Sequence, residues 1–157
     1  MRKYITLVGR SYWSTLNSLW AVLKNREFIP DEVFLITDKS FKENAEILKK
    51  DIKILLTNYD IDAQVFIEMN EDVDLYHTGQ RIQDIIEKED ENEVALDITG
   101  GRKTAVAGAL VNPGSKYLKH VFYLYLDKIE GASRPYPSIE LDRMKIRDFV
   151  DIYKEDI

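Results

Sequence analysis

The stretch Glu93–Leu110 reads EVALDITGGRKTAVAGAL and carries the clearest structural signal in this 157-residue chain. Val94 to Ile98 form a short apolar run with one acid, and the residues after Gly101 are rich in alanine. A short apolar run is typical of a buried strand, and alanine favours a helix. The pattern therefore predicts a buried strand, a tight turn at the glycines and a helix.

The turn in this stretch carries groups that bind anions. Gly100 and Gly101 allow positive φ and let a ligand approach the backbone, and the Thr99 hydroxyl can cap the helix. Arg102 and Lys103 place two cations beside a helix N-terminus, whose free N–H groups favour anions. The turn therefore predicts a site for a phosphate or another oxyanion. The structural alternative is a glycine junction with two solvated cations.

Two common nucleotide motifs do not fit. A Walker loop needs lysine directly after its last glycine, but Arg102 separates Gly101 from Lys103. The turn also follows the fourth predicted strand, whereas such a loop is expected after the first. The fingerprint Gly-x-Gly-x-x-Gly is absent from the first turn, which disfavours a nicotinamide or flavin enzyme.

Composition excludes several classes of function. The net charge of -6 argues against broad DNA or RNA binding, which relies on a basic surface. The chain has no cysteine, and its two histidines, His77 and His120, show no metal-ligand spacing, so no metal or cofactor is expected. No apolar run is long enough to cross a membrane, and no signal peptide is evident. A cytoplasmic protein of one domain is expected.

Strand and helix patterns alternate along the chain. Strands are predicted at Lys3–Val8, Glu32–Thr37, Asp62–Glu68, Val94–Ile98 and His120–Leu126. Apolar spacing predicts helices after Ser11, from Phe41 and over Tyr76–Lys88. Core positions of these helices are Trp13, Leu16, Leu19, Trp20, Leu23, Ala45, Leu48, Ile52, Leu55, Leu56, Ile82, Ile85 and Ile86. An acidic turn at Glu71, Asp72 and Asp74 separates the third strand from its helix.

The tail has a different character. Pro135 and Pro137 disfavour a regular helix, so an extended segment or short edge strand is predicted at Ser138–Leu141, followed by a short helix.

This order predicts an α/β fold with a Rossmann-like, mostly parallel sheet. Right-handed crossovers give the strand order 3-2-1-4-5, with a further edge strand from the tail and helices on both faces. Strands 1 and 4 are then neighbours at the point where the winding reverses, which is where such sheets bind ligands. The turn after strand 1, Gly9-Arg10-Ser11, again supplies a glycine, a cation and a hydroxyl. Both turns should therefore line one crevice.

The segments LVGRS at Leu7–Ser11, DITGGRKT at Asp97–Thr104 and RPYP at Arg134–Pro137 resemble the CRISPR-associated Rossmann-fold (CARF) domain. The resemblance covers residues 1–157 and implies a homodimer that binds cyclic oligoadenylate, most often the tetramer, across its axis. It places Ser11 as a ligand-contacting hydroxyl and Lys103 as the basic residue of the glycine turn. Helices after strands 1 and 4, and the tail from about residue 128, are expected at the dimer interface.

No effector domain follows in this chain, which favours a resemblance to stand-alone ring nucleases. It is equally consistent with the N-terminal part of a longer effector. The expected ligand-binding residues are Gly9, Arg10, Ser11, Thr99, Gly100, Gly101, Arg102, Lys103 and Thr104.

A ring nuclease needs little beyond positioning and charge, because the ligand's own 2'-hydroxyl can attack the phosphorus. Lys103, with Arg10 or Arg102, would stabilise the charged intermediate, and Ser11 would orient the ribose or phosphate. The expected catalytic residues are thus Ser11, Lys103 and Arg10, with no metal. The product would be linear di-adenylate with a 2',3'-cyclic phosphate. The alternatives are a sensor that binds without cleaving and a generic nucleotide-binding protein.

Overall fold

The computed structural model describes residues 1–71, 75–87 and 93–151. Its centre is a six-stranded sheet in the order β3-β2-β1-β4-β5-β6. The strands are β1 (Arg2–Leu7), β2 (Glu32–Asp38), β3 (Gln64–Asn70), β4 (Glu93–Asp97), β5 (Leu118–Leu126) and β6 (Met144–Asp148). The first five are parallel, and β6 runs antiparallel to β5. The predicted Rossmann-like order and the extra edge strand are confirmed.

Helices cover both faces of this sheet. They are α1 (Tyr12–Lys24), α2 (Lys42–Asn58), α3 (Leu75–Glu87) and α4 (Lys103–Val111). Side chains alternate along a strand, so Tyr4 of β1 joins the core under α1 and α2, and Ile5 joins the core under α3 and α4. The predicted helical core is confirmed, with Trp13 and Trp20 half-buried against it. None of the helices in the described ranges has the length and apolar character of a membrane span.

The predicted position of the edge strand is wrong. The strand lies at Met144–Asp148, and short 3-10 turns occupy Tyr136–Ser138 and Leu141–Arg143. Pro135 and Pro137 explain the shift, because neither has an N–H to donate to a ladder. A regular alternation of half-buried and exposed residues begins only at Met144. The helical residues that follow are described only to Asp151.

The segment before β6 packs on the protein's own α1. The Asn17 side chain donates to the carbonyl of Arg134 at 2.6 Å and accepts from the Tyr136 backbone N–H at 2.8 Å. The Tyr136 ring stacks on Trp20 with a centroid separation of 6.1 Å. One face of the tail is therefore covered within the protomer.

In the predicted acidic turn, Asp72 and Asp74 lie outside the described residues.

Candidate functional site

The turns after β1 and β4 touch each other. A Cβ added to Gly9 would lie 3.1 Å from both Cα and N of Gly101, and one added to Gly101 would lie 2.7 Å from Cβ of Leu7. Gly101 has φ of 84°, as predicted, whereas Gly100 does not have positive φ. Gly100 instead allows close packing, since a Cβ added at this position would lie 2.5 Å from the Leu7 carbonyl oxygen. These glycines let the two turns approach each other.

A buried carboxylate holds the turn after β4 in place. Asp97 is fully buried at the end of β4 and accepts hydrogen bonds at 2.9 Å from the Thr6 hydroxyl, the Ser18 hydroxyl and the Thr99 backbone N–H. Burial raises the pKa of Asp97, although the bonds from Thr99, Ser18 and Thr6 lower it in part. Asp97 therefore supports the turn and ties it to β1 and α1.

The prediction that Thr99 caps the following helix is wrong. The residue at the helix N-cap is Arg102, and no side chain caps α4. The Thr99 hydroxyl points into the buried network, where it donates to Ser18 Oγ at 3.0 Å and accepts from the Leu124 backbone N–H at 2.9 Å. The two residues between Thr99 and Arg102 complete the turn first, so the helix begins too late for Thr99 to reach its first N–H groups. Thr99 links the turn to β5.

Ser11 is the N-cap of α1. Its Oγ accepts from the backbone N–H of Ser14 at 3.3 Å and from the Ser14 hydroxyl at 2.8 Å. Both bonds use lone pairs of Ser11, so its own O–H remains able to donate to a ligand oxygen. Ser11 is exposed. It is therefore both a helix cap and an accessible donor.

Three exposed cations surround the paired turns. Arg10, Arg102 and Lys103 are all exposed, and the first turns of α1 and α4 contain no acidic residue. Within the described ranges, neither Arg10 nor Lys103 forms an ion pair. The free N–H groups of two helix N-termini add positive potential at the same edge. This arrangement suits an anion with several oxygens.

A third turn, which the sequence analysis missed, joins the site. The Arg102 guanidinium lies 5.3 Å from the ring centroid of Phe41, which follows β2. Asn44 of α2 donates to the Gly9 carbonyl at 3.4 Å. In the sequence Phe41 is simply an apolar residue at a helix start, so nothing signals its contact with Arg102. Asn44 gives a weak signal as a polar residue beside the buried Ala45.

The structure thus brings the predicted residues into two groups. Exposed or half-exposed at the edge are Arg10, Ser11, Gly101, Arg102, Lys103 and Thr104, while Gly9, Gly100 and the Thr99 hydroxyl are engaged in the packing beneath. Asp97, the only acid in the β4–α4 turn, has all its hydrogen bonds inside the protein, so it does not offer a metal ligand there.

No protein-family model and no curated protein matches this chain. Among solved structures, the fold is similar to part of a type III CRISPR defence DNA nuclease activated by cyclic oligoadenylate. The TM-score is 0.56 at 14% sequence identity, and the similarity covers 80% of this chain. It covers 19% of the nuclease chain, so this protein corresponds to about a fifth of that length. What the comparison shows is the shared α/β fold.

Proposed function

We propose that this protein binds cyclic oligoadenylate, with cyclic tetra-adenylate as the preferred ring, at the edge formed by its two glycine turns. The observation that carries the proposal is the contact of Gly9 with Gly101, which brings Ser11 and Lys103 to one edge of the sheet. The similarity in fold to a nuclease activated by cyclic oligoadenylate supports this choice of ligand. The CARF-like sequence of both turns supports it independently.

The proposed binding unit is a homodimer with the ligand on its two-fold axis. One protomer offers one set of cations, Arg10, Arg102 and Lys103, whereas a ring of four nucleotides has four phosphates. A two-fold dimer presents the same side chains to opposite phosphates of a symmetric ring. Two copies therefore match the symmetry and the charge of the ligand better than one.

The proposed reaction is cleavage of the ring by its own ribose. A 2'-hydroxyl loses its proton to water as its oxygen attacks the adjacent phosphorus, the bond to the 5'-oxygen breaks, and the 5'-oxygen takes up a proton from water. Cleavage at two opposite positions gives two di-adenylates, each with a 2',3'-cyclic phosphate. Lys103 and Arg10 stabilise the charge on phosphorus, and the Ser11 O–H fixes the reacting geometry. Neither turn contains histidine, so we expect slow turnover. The reaction would terminate a cytoplasmic CRISPR signal.

The second candidate is a sensor that binds the same ring without cleaving it. The similarity in fold to the nuclease favours this candidate, because cyclic oligoadenylate activates that nuclease. The third is a generic nucleotide-binding α/β protein with an unrelated partner.

Incubation of the protein with labelled cyclic tetra-adenylate in EDTA separates these candidates. Cleavage supports the ring nuclease, and binding without cleavage supports the sensor. The absence of both binding and cleavage would contradict the proposed ligand. A ring with 2'-hydrogens in place of hydroxyls should bind but remain intact. Cleavage of that deoxy ring at the normal rate, or activity that returns only with magnesium, would overturn the mechanism but not the binding site.

A further inference from the structure

His120 of β5 lies between the carboxylates of Glu93 and Asp148. Its Nε2 is 3.1 Å from Glu93 Oε1, and its Nδ1 is 2.6 Å from Asp148 Oδ2. Glu93 begins β4, and His120 pairs with Ala95 in the middle of that strand. Asp148 ends β6 and pairs with Phe122, which in turn pairs with Asp97. None of these three residues belongs to the turns that carry Ser11 and Lys103.

Both ring nitrogens of His120 face a carboxylate oxygen, so each contact needs a proton or a bound metal ion between its two atoms. A neutral imidazole has one N–H, and donation from Nε2 to Glu93 leaves a lone pair on Nδ1. That lone pair would face the Asp148 oxygen at 2.6 Å, which is repulsive unless a proton or a metal ion lies between them. Metal-bound histidines commonly donate their second N–H to a carboxylate, which is the role Glu93 can take here.

Asp148 is oriented by the backbone. Its Oδ1 accepts from the backbone N–H of Val121 at 2.9 Å and of Val150 at 3.1 Å. These bonds hold Oδ2 towards His120. Only 19% of the His120 side chain and 9% of the Asp148 side chain are exposed, so this pair is partly desolvated.

Asp151 brings a third carboxylate to this cluster. One ligand atom each from His120, Asp148 and Asp151 lie within 4.8 Å of one another. Asp148 and Asp151 also line a cleft of about 230 Å³, whose other charged residues are Glu27, Lys145 and Arg147. Metal–ligand bonds of about 2.1 Å place tetrahedral ligand atoms roughly 3.4 Å apart. The histidine–aspartate contact would open slightly, and the exposed Asp151 would move inward.

We propose that His120 Nδ1, Asp148 and Asp151 bind a divalent transition-metal ion of the zinc class, with Glu93 as the positioning residue for the imidazole. One nitrogen and two carboxylate oxygens suit Zn²⁺, Co²⁺ or Ni²⁺ better than Mg²⁺ or Ca²⁺, which prefer oxygen alone. The ion would link β5 to β6 and to the residues after it, and so would be structural. The sequence gives no hint of this site, because His120 and Asp148 are 28 residues apart and meet through strand pairing.

The test is metal titration of the full chain, expressed without a histidine tag and stripped with EDTA. Zn²⁺ followed by calorimetry should bind at one ion per chain and raise the Tm. Co²⁺ should give visible absorption bands typical of low coordination number. Asp151→Asn and His120→Ala should abolish both signals, and Glu93→Gln should weaken affinity about 10- to 100-fold. His77→Ala and Asp142→Asn are matched controls that should bind as the wild type does.

Three results would overturn the proposal. The first is no Zn²⁺ or Co²⁺ binding by the wild type at millimolar metal. The second is binding that survives in both Asp151→Asn and His120→Ala. The third is a nitrogen NMR spectrum in which His120 carries protons on both nitrogens at neutral pH and saturating Zn²⁺ leaves it unchanged. Asp151 lies outside the β6 ladder, so its asparagine variant is expected to fold, and circular dichroism verifies this.

Discussion

At the scale of single residues, Lys103 is the cation whose removal tests the ligand site most directly. Lys103→Ala should weaken binding of cyclic tetra-adenylate by about 1.5 to 3 kcal/mol, which is roughly 10- to 150-fold, because a charged hydrogen bond to phosphate is lost. The cleavage rate, if the protein cleaves the ring, should also be lower in Lys103→Ala. Lys53→Ala, an exposed lysine on α2, is the matched control. Calorimetry measures both, and equal affinity in the two variants would remove Lys103 from the site.

Ser11 is expected to affect the reaction more than the affinity. Ser11→Ala should reduce the cleavage rate at saturating ligand while changing Kd little, because a neutral hydroxyl sets the reacting angle. The same change removes the α1 cap and should cost about 1 kcal/mol of stability. Ser11→Gly lacks the hydroxyl but is tolerated at an N-cap, so it separates the two effects. Full activity in the glycine variant would contradict a role for the hydroxyl.

Asp97 should make stability depend on pH. Because burial raises the pKa of Asp97 above 3.8, the folded state favours the protonated form, and the stability gained at low pH is lost as pH rises through the raised pKa. Asp97→Asn keeps the size and a hydrogen-bond acceptor but cannot ionise. From pH of about 4 upward, the unfolding free energy of the wild type should fall relative to this variant. Urea denaturation over a pH series measures the unfolding free energy of the wild type and of Asp97→Asn. The same pH dependence in both proteins would contradict the expectation.

At the scale of elements, α3 and α4 pack closely against each other at Gly108. A Cβ on Gly108 of α4 would lie 2.0 Å from the carbonyl oxygen of Leu75 in α3. Gly108→Ala should therefore force the helices apart and lower stability by about 1 to 2 kcal/mol, despite the higher helix propensity of alanine. In the control Gly131→Ala, the nearest atom is 3.7 Å away, so stability should hardly change. Thermal unfolding compares them, and equal Tm values would contradict the inferred crowding.

The elements also show what sequence can reveal about this fold. Periodicity located the five parallel strands, because a buried strand and an amphipathic helix have different apolar spacing. The antiparallel β6 was misplaced, because its short alternation competes with the proline signals of the tail. Thr99 was misassigned as a cap because its alternative partners, Ser18 and Leu124, are distant in sequence. The contact of Arg102 with Phe41 was missed for the same reason.

At the scale of the whole molecule, we expect a homodimer through α4. The exposed fractions of Leu110 and Val111 at the end of this helix are 39% and 68%, which is apolar area that a partner could cover. Light scattering at micromolar concentration should give a mass of two chains for the wild type. Val111→Asp should reduce the measured mass to that of one chain. Ile54→Asp, at a 60% exposed position of α2, is the control and should stay dimeric. A monomeric mass for the wild type, unchanged when ligand is added, would rule out the dimer.

The direction of β1 has a practical consequence for biosensors. Met1 precedes this strand, and Ser11 follows it, so the two residues lie at opposite ends of the sheet. A strand of six residues spans about 20 Å. A fluorophore, a reporter domain or a chip surface coupled at Met1 would therefore stand off from the glycine turns. Tethering at Met1 should leave that edge accessible to a dissolved nucleotide.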